Sequence, residues 1–254
     1  MKIQYASDFH LENKENTAYL GESPLQVAGD ILLLAGDVFV MGKDDDYLQR
    51  FLNWCSESFT RTLIVPGNHE FYGGEDIKST LGGWELKLRD NVSCLNNKRV
   101  VVDGVELIFT TLWGDVPAEA ESIVNKYMPE CSSARYGQLH FKACHYGEAH
   151  AACRLWLDKV LNDPLSSRRV VVTHHCPVRV EDPKYESNGL SHAFVNPMEG
   201  YVEASGVDAW IFGHTHYNGA RGTRVGGTVL CTNQLGYAAK GVCDGFSRNC
   251  VVEV

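Results

Sequence analysis

Short apolar runs, each cut off by a turn or a polar cluster, set the rhythm of this chain. Residues 2–7 predict a first strand that ends at Ser7-Asp8-Phe9-His10. Ile31-Leu32-Leu33-Leu34-Ala35 is apolar throughout, the pattern of a strand covered on both faces, and stops at Gly36-Asp37. Across 44–59 the spacing of Tyr47, Leu48, Phe51, Leu52, Trp54 and Cys55 predicts an amphipathic helix. Asp44, Asp45 and Asp46 stand at its start, where they complement the helix dipole. Leu63-Ile64-Val65 predicts a buried strand that breaks off at Pro66-Gly67, with a helix expected over about 75–90 despite Gly82-Gly83. Val100 to Phe109 predicts a hairpin, because Asp103-Gly104 supplies the positive φ angles of a two-residue turn.

Residues 115–150 hold Pro117, Pro129 and several aromatics, and predict a helical insertion that serves as a lid. Cys153, Trp156, Leu157, Val160 and Leu161 carry that helix on through 151–161, until Pro164. Val170-Val171-Val172-Thr173 predicts another buried strand, delivering His174-His175-Cys176-Pro177. A long loop through Asn188-Gly189, a short helix near 198–204 and a strand at Ala209-Trp210-Ile211-Phe212 follow. The last strand delivers Gly213-His214-Thr215-His216, and the remainder predicts antiparallel strands that close the sheet. Strands alternating with helices first and hairpins later predict an α/β sandwich, read as one domain over 1–254.

Composition narrows the partners more than the fold. With 254 residues, 44% hydrophobic and 22% charged, the chain has the balance of a globular protein with a full core. Its formal net charge of −9 argues against a charge-driven grip on nucleic acid or an anionic membrane. A small phosphorylated substrate stays compatible, since a bound cation inverts the local field. The nine cysteines are scattered without a CxxC pair, and no apolar stretch approaches the length of a membrane span. Reduced thiols in a cytoplasm are the expectation, with a minor disulfide among the late cysteines left open.

The chemistry lies at the strand ends. Five apolar runs finish in metal-competent residues: Asp8-x-His10, Gly36-Asp37, Gly67-Asn68-His69-Glu70, His174-His175 and Gly213-His214-Thr215-His216. Taken singly each has a plainer explanation: Asn68 caps the next helix, Gly36-Asp37 is a turn, and His174-His175 is a buried pair. Five in the same context make a stronger signal than any one. If the segments are extended, Asp8 and His10 point the same way, as do His214 and His216. Asp37 has two oxygens with which to bridge two cations, and Asn68 offers a neutral carbonyl. Two cations about 3.5–4 Å apart form the clamp used for in-line displacement at phosphorus. The donors suit Mn, Fe or Zn better than Ca or Mg.

This set resembles the calcineurin-like metallophosphoesterase superfamily, whose pattern is D-x-H, G-D, G-N-H-E/D, a later His and G-H-x-H. The likeness runs from Asp8 to His216 and is nearest to a group of small, largely uncharacterised bacterial and phage members. Their texture recurs in Ser7-Asp8-Phe9-His10-Leu11-Glu12, Thr111-Leu112-Trp113-Gly114-Asp115 and Val172-Thr173-His174-His175. The resemblance implies a four-layer αββα sandwich with mixed sheets and a dimetal site at the strand ends. It places Asp8, His10, Asp37 and His216 on one metal, and Asp37, Asn68, His174 and His214 on the other. His69 becomes the acid for the leaving oxygen, and the nucleophile a hydroxide bridging the metals. Glu70 either orients His69 or anchors its loop. His175 stands behind the ligands or faces substrate.

On these grounds a dinuclear hydrolase of small phosphomonoesters or phosphodiesters is expected, with Asp37 and His69 central to catalysis. A metal-binding interaction scaffold on the same fold is the alternative from another class. Gly36-Asp37-Val38-Phe39-Val40-Met41-Gly42 and Glu70-Phe71-Tyr72 lack the arginines of protein phosphatases, and the acidic charge disfavours a nuclease. Asn68, Tyr72, His175 and His192 are substrate-binding candidates, with Asn188, Trp113, Arg179 and Arg224 as further pocket candidates. His140, His145 and His150 sit at near-helical spacing, and Cys176 stands close enough to His174 for its oxidation to inhibit.

Overall fold

A computed structural model describes residues 1–180 and 189–254. The first sheet is built on three parallel strands, β1 (Lys2–Ala6), β2 (Ile31–Leu34) and β3 (Arg61–Ile64). Beyond β3 come β4 (Trp84–Arg89) and β5 (Val92–Asn96), with β5 parallel to β3 and β4 antiparallel at the edge. The hairpin β6 (Lys98–Val102) and β7 (Val105–Thr110) turns at Asp103 and Gly104, whose φ values of 48° and 76° match the sequence expectation. It opens the second sheet. A small ribbon, β8 (Arg135–Tyr136) and β9 (Leu139–His140), lies apart from both sheets. The second sheet continues with β10 (Arg168–Thr173) and β11 (Ala209–Phe212), then β12 (Arg224–Val225) and β13 (Thr228–Thr232). β14 (Val251–Glu253) returns to pair antiparallel with β1.

Register explains why the chemistry gathers. Ala6 pairs with Leu34, and Leu34 with Ile64, so three strands of the first sheet stop level with one another. In the second sheet Thr110 pairs with Thr173, Val172 with Ile211 and Phe212 with Thr232. The loops after these strands therefore leave from one rim, the usual ligand-binding edge of an open parallel sheet.

The sheets face each other through alternate residues. Ile3, Tyr5, Ile31, Leu33, Leu63 and Val65 meet Leu107, Phe109, Val170, Val172, Ala209 and Ile211 in one buried cluster. The opposite faces carry Leu32, Leu34 and Ile64 on one sheet, and Ile108, Val171 and Trp210 on the other. Helices cover those faces, giving four layers. The helices in chain order are α1 (Lys14–Leu20), α2 (Asp46–Ser58), α3 (Ile77–Thr80), α4 (Glu121–Tyr127), α5 (Glu130–Ser133), α6 (Ala143–Leu161) and α7 (Glu199–Ser205). α2 buries Leu48, Phe51, Leu52 and Cys55, and α6 buries Tyr146, Ala149, Cys153 and Leu157. Asp45 caps α2 by accepting from Leu48 N at 2.8 Å, so this acidic run is a helix start.

Three expectations change. The helix over 75–90 stops at Thr80; after Gly83, Trp84-Glu85-Leu86-Lys87-Leu88-Arg89 alternates and forms β4 instead. Period two and a glycine break outweigh the helix propensity of Glu, Leu and Lys. The closing strands are not all antiparallel, since β13 runs parallel to β11. The insertion is only partly helical: it includes the β8–β9 ribbon before α6 begins at Ala143 and runs unbroken to Leu161. All nine cysteines are free thiols. Among the described residues no helix is long and apolar enough to cross a membrane.

Candidate metal centre and active site

The predicted ligands do not continue their strands. Asp8, His10, Asp37, His214 and His216 have φ of 58°, 45°, 53°, 72° and 50°, five of the eight non-glycine residues with positive φ among those described. The expected extended alternation is replaced by tight coils that turn both members of each pair inward. Such backbone costs roughly 1–3 kcal/mol per residue unless its surroundings hold it. Here Asp8 N donates to Gly36 O at 3.0 Å, His10 N to Asp37 O at 2.9 Å and Gly213 N to His174 O at 3.0 Å. Gly36 and Gly67 are needed because a Cβ on either would overlap the His174 ring.

Glu70 anchors the loop and makes no hydrogen bond to His69. Its buried carboxylate accepts from Asp37 N (3.0 Å), Val38 N (2.7 Å), Phe39 N (3.2 Å) and Gly67 N (2.6 Å). Burial and the neighbouring Asp37 charge push its pKa up to about 7. The carboxylate thereby ties the Asp37 loop to the Asn68 loop.

On this frame the ligand candidates converge in three overlapping groups: Asp8, His10 and His216; His10, Asp37 and His69; and Asp37, His174 and His214, with donor atoms in each group within 4.8 Å of one another. His216 Nε2 lies 3.3 Å from Asp8 Oδ1 and 3.0 Å from His10 Nε2. His174 Nε2 lies 2.9 Å from His214 Nδ1 and 3.1 Å from Asn68 Oδ1. Asp37 stands between them, with Oδ2 3.9 Å from His10 Nε2 and Oδ1 3.4 Å from His174 Nε2.

Asn68 tests whether these residues suit cations. Its Oδ1 is turned toward both Asp37 oxygens, His174 Nε2 and His214 Nδ1, all acceptors when the imidazoles are neutral there. Without a cation the amide would gain hydrogen bonds by turning over. Oxygen inward is the orientation a metal ligand needs, and the donor set fits. Burial lowers the pKa of His10, and burial with neighbouring His175 and His174 lowers that of His214, favouring the neutral imidazoles that metals require. Burial would lower His174 too, but the Asp37 charge outweighs it and raises this group to about 9.

His69 occupies the mouth of the site. Its Nδ1 is 2.7 Å from Glu12 Oε1, and its Nε2 is 3.3 Å from the Tyr237 hydroxyl. Burial opposes protonation, yet Asp37 and then Glu12 raise its pKa to about 9. A cavity of about 340 Å³ opens beside it, lined by Asp37, Asn68, His69 and Tyr72 on one side. His214, His216 and Tyr237 also line it, and Tyr127, Met128 and Pro129 of the insertion face it together with Leu190, Phe194 and Lys240.

Other candidates fall elsewhere. His175 is fully buried, with Nδ1 3.2 Å from Thr111 O and its ring against Trp113 and His214, so it does not face substrate. His192 is exposed and outside the cavity wall, because the turn at Ser191–Ala193 presents Leu190 and Phe194 there instead. Trp113 is core, packed on Phe71, Phe141 and Tyr146. Arg179 and Arg224 are exposed and do not line this cavity, and Asn188 lies outside the described residues. His140 is on β9, His145 accepts from Lys142 N, and His150 meets Trp113 O, so the three share no site. Cys176 is buried, and burial pushes its thiol up to about 12, which removes the basis for ready oxidation.

Four residues escaped the sequence reading. Glu12 stood two places after His10 and carried a weak signal; Glu130, Tyr237 and Lys240 carried none, since only tertiary contact brings them here.

Two mixed sheets flanked by helices, with histidines and carboxylates crowded on one rim, define a metal-dependent hydrolase of phosphoesters. The chain belongs to the calcineurin-like phosphoesterase family, whose sequence model matches residues 1–218. It is 22% identical over 265 aligned positions to the uncharacterized protein L509 of Acanthamoeba polyphaga mimivirus, covering 93% of this chain and 91% of that protein. In structure it is similar to phosphopantetheinyl hydrolase from Mycobacterium tuberculosis, with TM-score 0.65, 18% identity and coverage of 94% and 90% of the two chains.

Proposed function

We propose that this enzyme hydrolyses a small phosphomonoester or phosphodiester at a dinuclear centre held by Asp8, His10, Asp37, Asn68, His174, His214 and His216. The carrying observation is the division of Asp37, one oxygen toward His10 and the other toward His174. Cations bound there would make water acidic enough to attack as hydroxide at neutral pH and would neutralise phosphoryl oxygens.

The chain's own groups complete the reaction. Glu12 accepts from His69 Nδ1, which leaves Nε2–H of the protonated ring to meet the departing oxygen. Asp37 Oδ1 accepts from His69 N at 2.9 Å and fixes the loop that carries this acid. Tyr127, Met128, Leu190 and Phe194 offer apolar surface for the organic part of an ester, and Lys240 a positive charge at the rim. The missing arginines after Asp37 and Glu70 speak against a phosphoprotein substrate. Free thiols support a reducing compartment such as the cytoplasm.

A phosphoester panel on apo-protein reconstituted separately with Mn²⁺, Fe²⁺, Zn²⁺ and Mg²⁺ tests this reading and divides monoesterase from diesterase. It should include a phosphopantetheinyl ester, after the substrate named for the mycobacterial fold neighbour. Transition-metal-dependent turnover of at least one small ester is expected. Absence of turnover with every metal, from protein that binds them, would favour a scaffold.

A further inference from the structure

The insertion reaches the metal centre through one buried carboxylate. Glu130, the first residue of α5, is fully buried, and each of its three side-chain partners has a proton to give. Tyr146 Oη donates to Oε1, Tyr72 Oη donates to Oε2 at 2.9 Å, and Asn68 Nδ2 donates to Oε2 at 3.4 Å. Asn68 Nδ2 also donates to Tyr72 Oη at 2.7 Å. Asn68, Tyr72 and Glu130 thus form a relay that starts at the cation-facing amide and ends in the insertion.

We propose that Glu130 is a positioning residue for the metal centre, setting the polarity of the relay so that Asn68 presents oxygen to the cation. An ionised carboxylate only accepts. Tyr72 must therefore spend its single proton on Glu130, which leaves its oxygen to accept from Asn68. The NH₂ of Asn68 then points outward and Oδ1 inward. In the reverse polarity Tyr72 would donate to Asn68 Oδ1, the amide would turn its NH₂ toward the metals, and Glu130 would keep Tyr146 on Oε1 but lose both donors to Oε2. Burial disfavours that arrangement, because a carboxylate oxygen left without a donor away from water is costly. The adjacent Tyr127, Met128 and Pro129 line the substrate cavity, so one short segment both walls the site and orients a ligand.

The inference rests on Asn68 facing a cation, and calorimetric titration of apo-protein with Mn²⁺ separates the two claims. Glu130→Gln keeps the volume but supplies an NH₂, letting the relay reverse. At least one Mn²⁺ dissociation constant should rise roughly ten- to a hundredfold, the usual effect of losing a partner of a metal ligand. Tyr72→Phe breaks the relay and should weaken Mn²⁺ binding likewise, which carries the test if Glu130→Gln does not fold. Tyr146→Phe removes the other hydrogen bond to Glu130 but leaves the polarity intact. It should lower the apo-protein's thermal midpoint while leaving the Mn²⁺ constants within about twofold, as its effect is on packing rather than on the ligand. Unchanged Mn²⁺ binding in folded Glu130→Gln or Tyr72→Phe, or an equal loss in Tyr146→Phe, would overturn the positioning role. Wild-type protein that takes up no Mn²⁺ would instead overturn the metal-facing reading of Asn68, and this inference with it.

Discussion

Glu12 and His69 are joined by a 2.7 Å contact between Oε1 and Nδ1, although 57 positions separate them. The same oxygen lies 3.3 Å from His10 Nδ1, so one carboxylate touches both a candidate ligand and the candidate acid. A carboxylate on the far nitrogen of a metal-binding imidazole fixes its tautomer and ring plane.

Glu12→Gln should lower turnover most for esters whose leaving oxygen needs a proton. For an alkyl phosphate the loss should be on the order of 10²-fold in kcat, within the range of general acid catalysis. For p-nitrophenyl esters, whose leaving group departs as an anion, it should be much smaller. Steady-state kinetics across leaving groups checks this; equal losses for both would point to a disturbed metal centre instead.

The pair also predicts a pH window in chelated protein. Burial would raise the Glu12 pKa, but hydrogen bonds to His10 and His69 outweigh it and bring 4.5 down to about 2. A lowered carboxyl pKa gives stability that is full above about pH 4.5 and is lost as pH falls toward 2. His69 is raised from 6.5 to about 9, so its share is full below pH 6.5 and lost as pH rises through 9. Urea unfolding of the wild type and Glu12→Gln should differ most between about pH 4.5 and 6.5. A difference independent of pH would contradict the ion pair.

Trp113 supports the site from beneath, touching Phe71 of the Asn68 loop, Tyr146 of α6 and His175. Trp113→Ala should cost about 3–5 kcal/mol by denaturant unfolding, as a buried aromatic leaves a large cavity. A loss below about 1 kcal/mol would show that the insertion is not packed on this ring.

Thiol labelling should follow burial. Cys144 is exposed and should react first with an alkylating reagent, while buried Cys176 stays unmodified until the protein unfolds. Peptide mass spectrometry of the native protein decides it, and early labelling at Cys176 would contradict its burial.

Much of this was legible because the signals were local. Each apolar run that predicted a parallel strand is followed at once by a candidate ligand, so chain order alone pointed to Asp8, Asp37, Asn68, His174 and His214 as residues that the fold gathers on one rim. Backbone conformation at those positions was not legible: nothing in Asp8-Phe9-His10 announces two left-handed residues, which are imposed by hydrogen bonds to the neighbouring loop at Gly36 and Asp37. The resemblance favoured His174 as the ligand but left His175 either behind the ligands or facing substrate, and only its burial against Trp113 shows that its ring faces the core. β4 was misread because glutamate, lysine and leucine favour helices, while its alternation reports pairing with β5. Glu130 and Tyr237 answer to partners distant in sequence, which no local pattern records.

The central claim is that Asp37 joins two cations in one hydrolytic centre. The most direct test measures bound metal and phosphoester turnover together, in wild-type and Asp37→Asn protein reconstituted with Mn²⁺, with circular dichroism confirming the fold. The wild type is expected to bind two ions per chain and turn over, and Asp37→Asn to keep its fold, lose bound metal and lose activity. Undiminished turnover by Asp37→Asn, or full activity with a single ion bound, would contradict it.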